Sequence, residues 1–191
     1  MFRQQLRIIG LLAGMIFAMS ADAQQSVEEI EAASREYFSD TYLLNQDGEE
    51  VRFYTDVLKD QIVVINFIFT NCQGACPMMT QKLRMARDQL GEDAGKKVRF
   101  VSISIDPTRD TPAAMREFAS KQHADGDWVF LTGVPDNVDY VVKKLGQYFP
   151  DVEEHSTLMI AGNVKTRLWM KIPPQVPPAG VAEKLRELID G

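Results

Sequence analysis

The stretch that most limits what this chain can fold into is "IVVINFIFTNCQGACPMM", residues 62–79. Residues 62–69 are almost wholly apolar and rich in β-branched side chains, the composition of a strand buried on both faces of a parallel sheet. Met79, Leu83, Ala86 and Leu90 then recur at helical spacing, and Pro77 falls in the first turn, where a helix tolerates proline. Cys72 and Cys76, the only cysteines among 191 residues, therefore lie in the turn between a buried strand and a helix N-terminus.

The same alternation continues downstream. Residues 98–105, "VRFVSISI", read as a second strand in which Val101, Ile103 and Ile105 alternate with serines. After the loop "DPTRDTP", Thr111 is placed to cap a helix that starts at Pro112 and carries Met115, Phe118 and Ala119 on one face. "WVFLTG" precedes a third helix with Val138, Val141, Val142, Leu145 and Phe149, for which Asp136 is the expected cap. "STLMIAGNVKTRLWMKI" reads as two strands about Gly162-Asn163, and Val181, Leu185 and Leu188 mark a final helix. Ahead of the first buried strand, apolar runs on either side of Asp47-Gly48 predict a β-hairpin. The order is that of an α/β domain with βαβ units first and an antiparallel pair last.

The N-terminus has the three-part plan of a secretory signal: Arg3 and Arg7, an apolar run from Ile8 to Met19, and Ala21-Asp22-Ala23 before glutamines. The expected organisation is a signal peptide over 1–23, a polar tether or short helix over 24–40, and one domain over 41–191. A Gram-negative periplasm is the simplest destination, with a membrane anchor as the alternative if residues 1–23 stay attached. Their removal takes away Arg3, Arg7 and Asp22 and moves the formal net charge from −6 to −7, which disfavours nucleic acid and anionic membranes as partners. The domain is expected to act as a monomer.

Two thiols in an oxidising compartment call for a reason. At a helix N-terminus the dipole and the unpaired N–H groups favour the thiolate, which attacks disulfides and binds metals. A purely structural disulfide is the bland alternative, but its loop would be too short to remove much unfolded-state entropy. A metal needs further ligands, and the chain has two histidines. His123 ends a helix among polar residues and reads as a solvated side chain; His155 precedes a strand, where loops at the carboxyl edge of such a sheet gather. Two thiolates and an imidazole suit Cu(I), suit Cu(II) with a further donor, and would also serve zinc with a fourth ligand. Met78 and Met79 are soft donors read as packing. Asp106, Arg109 and Asp110 read as a rigid turn rather than as part of the site.

Taken together, Cys-x-x-x-Cys-Pro after an apolar strand, "SIDPTRDTP" after the next, "FLTG" downstream and His155-Ser156 before the penultimate strand resemble the Sco/SenC family over about residues 41–190. The resemblance implies a thioredoxin-like α/β fold, a central mixed sheet flanked by helices with an N-terminal β-hairpin extension. It also implies copper held by Cys72, Cys76 and His155. The implied role is delivery of copper to the dinuclear centre of cytochrome c oxidase subunit II, or reduction of its cysteines, with a copper donor or a thiol reductase upstream. Two departures stand out. Gln73, Gly74 and Ala75 leave no acidic residue between the cysteines, and "STLMIAGN" replaces an aspartate-proline-x-glycine turn after the histidine.

These residues support two functions. One is a copper metallochaperone; the other is a thiol–disulfide oxidoreductase with Cys72 and Cys76 as its catalytic pair. A peroxidase is disfavoured, because Thr70 lacks the preceding proline of that pattern.

Overall fold

The computed structural model describes residues 28–93, 96–124 and 126–191; the expected signal peptide lies outside them. In chain order the elements are helix α1 (28–38), strands β1 (Tyr42–Asn45) and β2 (Glu50–Arg52), a π-helical turn (Phe53–Leu58) and β3 (Ile62–Ile68). There follow α2 (Ala75–Leu90), β4 (Val98–Ser104), α3 (Pro112–Lys121), β5 (Val129–Thr132) and α4 (Pro135–Lys144). The chain finishes with β6 (Met159–Asn163), β7 (Leu168–Ile172) and α5 (Pro178–Asp190). Two compact units divide it at Tyr37/Phe38, and the whole sheet belongs to the second, Phe38–Gly191. Among the described residues no helix is long and apolar enough to cross a membrane.

The sheet has seven strands in the order β2-β1-β5-β4-β3-β6-β7. β3 lies near its centre, parallel to β4 and antiparallel to β6, which is the doubly covered position its composition predicts. Its side chains alternate between two cores. Val64 and Ile68 face α2, α3 and α5, while Val63, Ile65 and Phe67 face α4 and the π-helical turn. Helix α2 docks through Met79, Leu83, Ala86 and Leu90; burial of a residue such as Leu83 contributes about 1.5–3 kcal/mol, and Leu83→Ala would be the change most damaging to this contact.

The hairpin β1–β2 turns at Asp47-Gly48 as expected. Gly48 supplies a φ of +81°, and Asn45 Oδ1 accepts from the N–H groups of Asp47 and Glu49, both at 2.9 Å. β1 then pairs antiparallel with β5, so the hairpin extends the sheet.

Three local expectations are corrected. The second hairpin does not turn at Gly162-Asn163: both belong to β6, and the turn lies beyond them. Gly162 stands opposite Trp169, whose indole would collide with a Cβ, so the glycine is there for a close approach. Asn163 Oδ1 instead organises the turn by accepting from Lys165 N–H and Thr166 N–H. Asp136 does not cap α4, because Pro135 occupies the first helical position and Val134 the cap. Phe149 lies beyond the end of that helix.

Candidate metal centre

The site is built where β3 stops. Residues 69–74 leave the carboxyl edge of the sheet and deliver Gly74 as the cap of α2, a residue with no side chain to satisfy the exposed helix N–H groups. Cys72 does so from outside the helix: its Sγ accepts from the Cys76 N–H at 3.3 Å, while its own N–H donates to the Phe69 carbonyl at 3.1 Å. This locks the two cysteines into one turn. Both are free thiols. Cys72 is half-buried, whereas Cys76, on the second residue of α2, is 1% exposed and belongs to the core.

The structure brings His155 to this turn from 79 residues away. Its Nε2 lies 3.8 Å from Cys76 Sγ. Its Nδ1 is 2.7 Å from the Val152 carbonyl, in a 3-10 turn (Val152–Glu154) just before it. A carbonyl can only accept, so Nδ1 carries the proton, and in the neutral ring the Nε2 lone pair faces the thiol. Phe69 fixes the ring plane by an edge contact, with centroids 5.5 Å apart at 83°. Held this way, His155 has the orientation of a metal-ligating imidazole whose other nitrogen is tied to the backbone. As they stand, no group of three or more His, Cys, Asp or Glu side chains among the described residues closes on one point.

The electrostatics of Cys76 reverse the sequence expectation. Burial, and after it the hydrogen bond with Cys72, pushes its thiol far above the ordinary range; the Phe69 backbone opposes this and loses. The helix N-terminus therefore does not make Cys76 a thiolate in the metal-free protein. Its dry surroundings favour the neutral thiol over the thiolate.

Residues 106–110 form the hydrogen-bonded turn expected of them. Asp106 pairs with the Arg109 guanidinium, and its carbonyl accepts from the N–H groups of Arg109 and Asp110. The carboxylate of Asp110, however, turns toward the cysteine loop and bonds Thr70. Met79 packs in the core as expected, but Met78 is 65% exposed, so the packing expectation fails there. His123 lies at the end of α3, with its carbonyl 3.5 Å from Arg87 Nη2. Sequence reasoning passed over Phe69 and the Val152 carbonyl altogether. Neither carries a pattern of its own, since both matter only once His155 is in place.

A family model described as SCO1/SenC matches residues 29–190. The SCO1 protein homolog of Bacillus subtilis is 35% identical over 128 residues, which are 66% of this chain and 63% of that protein, so the chain spans less than two thirds of this relative. ScoI of Bradyrhizobium japonicum, solved with copper bound, is 26% identical with a TM-score of 0.66, over 78% of this chain and 96% of that one. A SCO1/SenC family lipoprotein from Bacillus anthracis is 25% identical with a TM-score of 0.65, over 78% and 92%. The fold is thus the thioredoxin-like α/β arrangement of these proteins.

Proposed function

The chain belongs to the SCO1/SenC family, and from that premise we propose that it is an exported copper metallochaperone whose Cys72, Cys76 and His155 hold one copper ion and pass it to a copper enzyme. The dinuclear centre of cytochrome c oxidase is the acceptor to which the family resemblance points. One observation carries the reading: His155 Nε2 stands 3.8 Å from Cys76 Sγ, with its lone pair turned to the thiol by the Nδ1 bond to Val152. Two sulfurs and one imidazole form a small, soft set that suits Cu(I). Cys72, whose Sγ already bonds the Cys76 N–H, supplies the second sulfur of the set. Binding then displaces the Cys76 proton, and transfer proceeds by exchange of these ligands for those of the acceptor. The leader read over residues 1–23 supports a periplasmic address, and the lipoprotein relative supports a membrane-associated variant of it.

A second reading rests on the unequal burial of the two thiols. Half-buried Cys72 is placed to attack a partner disulfide, forming a mixed disulfide and releasing one partner thiolate. Buried Cys76 is placed behind it to displace the second partner thiolate, leaving a Cys72–Cys76 disulfide and a reduced partner.

An anaerobic titration of the reduced protein with Cu(I) and with Cu(II), beside His155→Ala and Cys76→Ser, separates the two. The metallochaperone reading expects one copper per chain, lost or greatly weakened in both variants. Binding that is weak in the parent protein or indifferent to His155 overturns it in favour of thiol exchange.

A further inference from the structure

We propose that Asp110 is a positioning residue for this site, which holds the cysteine-bearing turn against the sheet so that Cys72 and Cys76 meet His155 in register; the proposal rests on the copper-holding reading. Asp110 is 1% exposed, and among the described residues its side chain is bonded by hydroxyls and a backbone N–H. Its Oδ1 accepts from both the N–H and the hydroxyl of Thr70, at 3.0 and 2.6 Å. Its Oδ2 accepts from the Ser104 hydroxyl at 2.6 Å. Its carbonyl accepts from the Thr132 hydroxyl at 2.5 Å. Thr70 lies just beyond β3, Ser104 ends β4 and Thr132 ends β5, so the carboxyl ends of three neighbouring strands are tied to one side chain and its backbone.

The direction of those bonds is informative. A carboxylate used only to fill space would be an expensive choice, since a matched apolar replacement of buried polar partners is often close to neutral. Two of the three donors to this carboxylate come from Thr70, two residues ahead of Cys72, and Cys72 in turn caps the first turn of α2. A shift at Thr70 therefore moves Cys72 Sγ and the entry of α2 together. The Asp106–Arg109 pair and the bond from the Thr108 hydroxyl to Asp106 Oδ1, 2.9 Å, shape the loop that presents Asp110. Partners that orient metal ligands in this way are typically worth about 10–100-fold in metal affinity.

The test compares Asp110→Ala, Thr70→Val, Asp110→Asn and Thr132→Val. Asparagine can still accept from Thr70 through its carbonyl oxygen and donate to Ser104 Oγ, so it keeps the ties without the charge. Thr132→Val cuts a tie to the same residue without touching the carboxylate. Three readouts are needed: Cu(I) affinity by competition, thermal unfolding, and, without metal, the equilibrium of the thiol pair with glutathione disulfide. In that equilibrium the Cys72–Cys76 disulfide forms as two glutathione thiols are released, so its constant reports how well the thiols are placed. Asp110→Ala and Thr70→Val are expected to weaken copper by about 10–100-fold and to shift the thiol equilibrium. Asp110→Asn should restore both to within a few-fold, and Thr132→Val should lower only the melting temperature. Should Asp110→Ala and Thr70→Val melt earlier yet keep parental copper affinity and thiol equilibrium, Asp110 is a fold residue and the proposal is overturned. Should Asp110→Ala fail to fold, Thr70→Val alone decides. If the parent protein itself does not hold copper, the copper-holding reading fails while the thiol equilibrium still decides the positioning claim.

Discussion

Cys76 reaches the site from the core outward, whereas His155 reaches it from a loop inward. The cysteine half stands on β3 and α2, with Cys76 1% exposed, Cys72 capping the helix and Asp110 bonding Thr70. The histidine half stands on a single 3-10 turn, where one hydrogen bond to Val152 and one ring edge from Phe69 define the imidazole. The contrast assigns separate duties. The thiols are placed by the same packing that folds the domain, and the imidazole closes on them as a separable third arm.

The largest effect expected from this contrast is at Cys76. Cys76→Ser should weaken copper by more than the roughly 100-fold typical of losing a supporting residue, and should cost about 1–3 kcal/mol of stability by leaving a hydroxyl in the core. Competition titration and chemical unfolding check the two parts. His155→Ala should also weaken copper strongly, but with stability changed by no more than about 1 kcal/mol, since its ring is half-buried and outside the core. Equal destabilisation by the two variants would break the comparison.

Much of the cysteine half was legible in the sequence because it is local. An apolar run, two cysteines, a proline and a helical stripe occupy one short stretch, and their order alone places the thiols between strand and helix. His155 was a candidate by elimination, by its position before a strand and by the family resemblance, since nothing within a sequence says which loops meet. The state of the Cys76 thiol escaped the sequence for a related reason. Proximity to a helix N-terminus is visible in the residue order, but the depth at which Cys76 is buried is a property of the packed domain, and depth prevails. Gly162 taught the same lesson in the sheet. A glycine before an asparagine reads as a turn until Trp169 is found lying across it.

Two smaller effects sharpen the contrast within the cysteine half itself. In the folded, metal-free protein, limiting iodoacetamide should label Cys72 and spare Cys76, which becomes reactive only on unfolding; peptide mass spectrometry reads the ratio. Equal labelling would show that the core does not enclose Cys76. The smallest expected effect is on pH. Because burial raises the Cys76 thiol above its unfolded value, the unfolded state releases that proton first as pH rises. Stability should therefore be fully present below the ordinary thiol range, about 8.5, and decline above it, more steeply in the parent than in Cys76→Ala. Thermal melts between neutral and alkaline pH measure that difference.

The most direct test of the central claim, that thiols from the core and an imidazole from the loop hold one ion, is X-ray absorption of the protein loaded anaerobically with Cu(I). The account predicts two sulfur scatterers and one imidazole, with the imidazole signal absent in His155→Ala and the sulfur signal retained. A copper bound by sulfur alone in the parent protein, or an imidazole signal that survives His155→Ala, would contradict it.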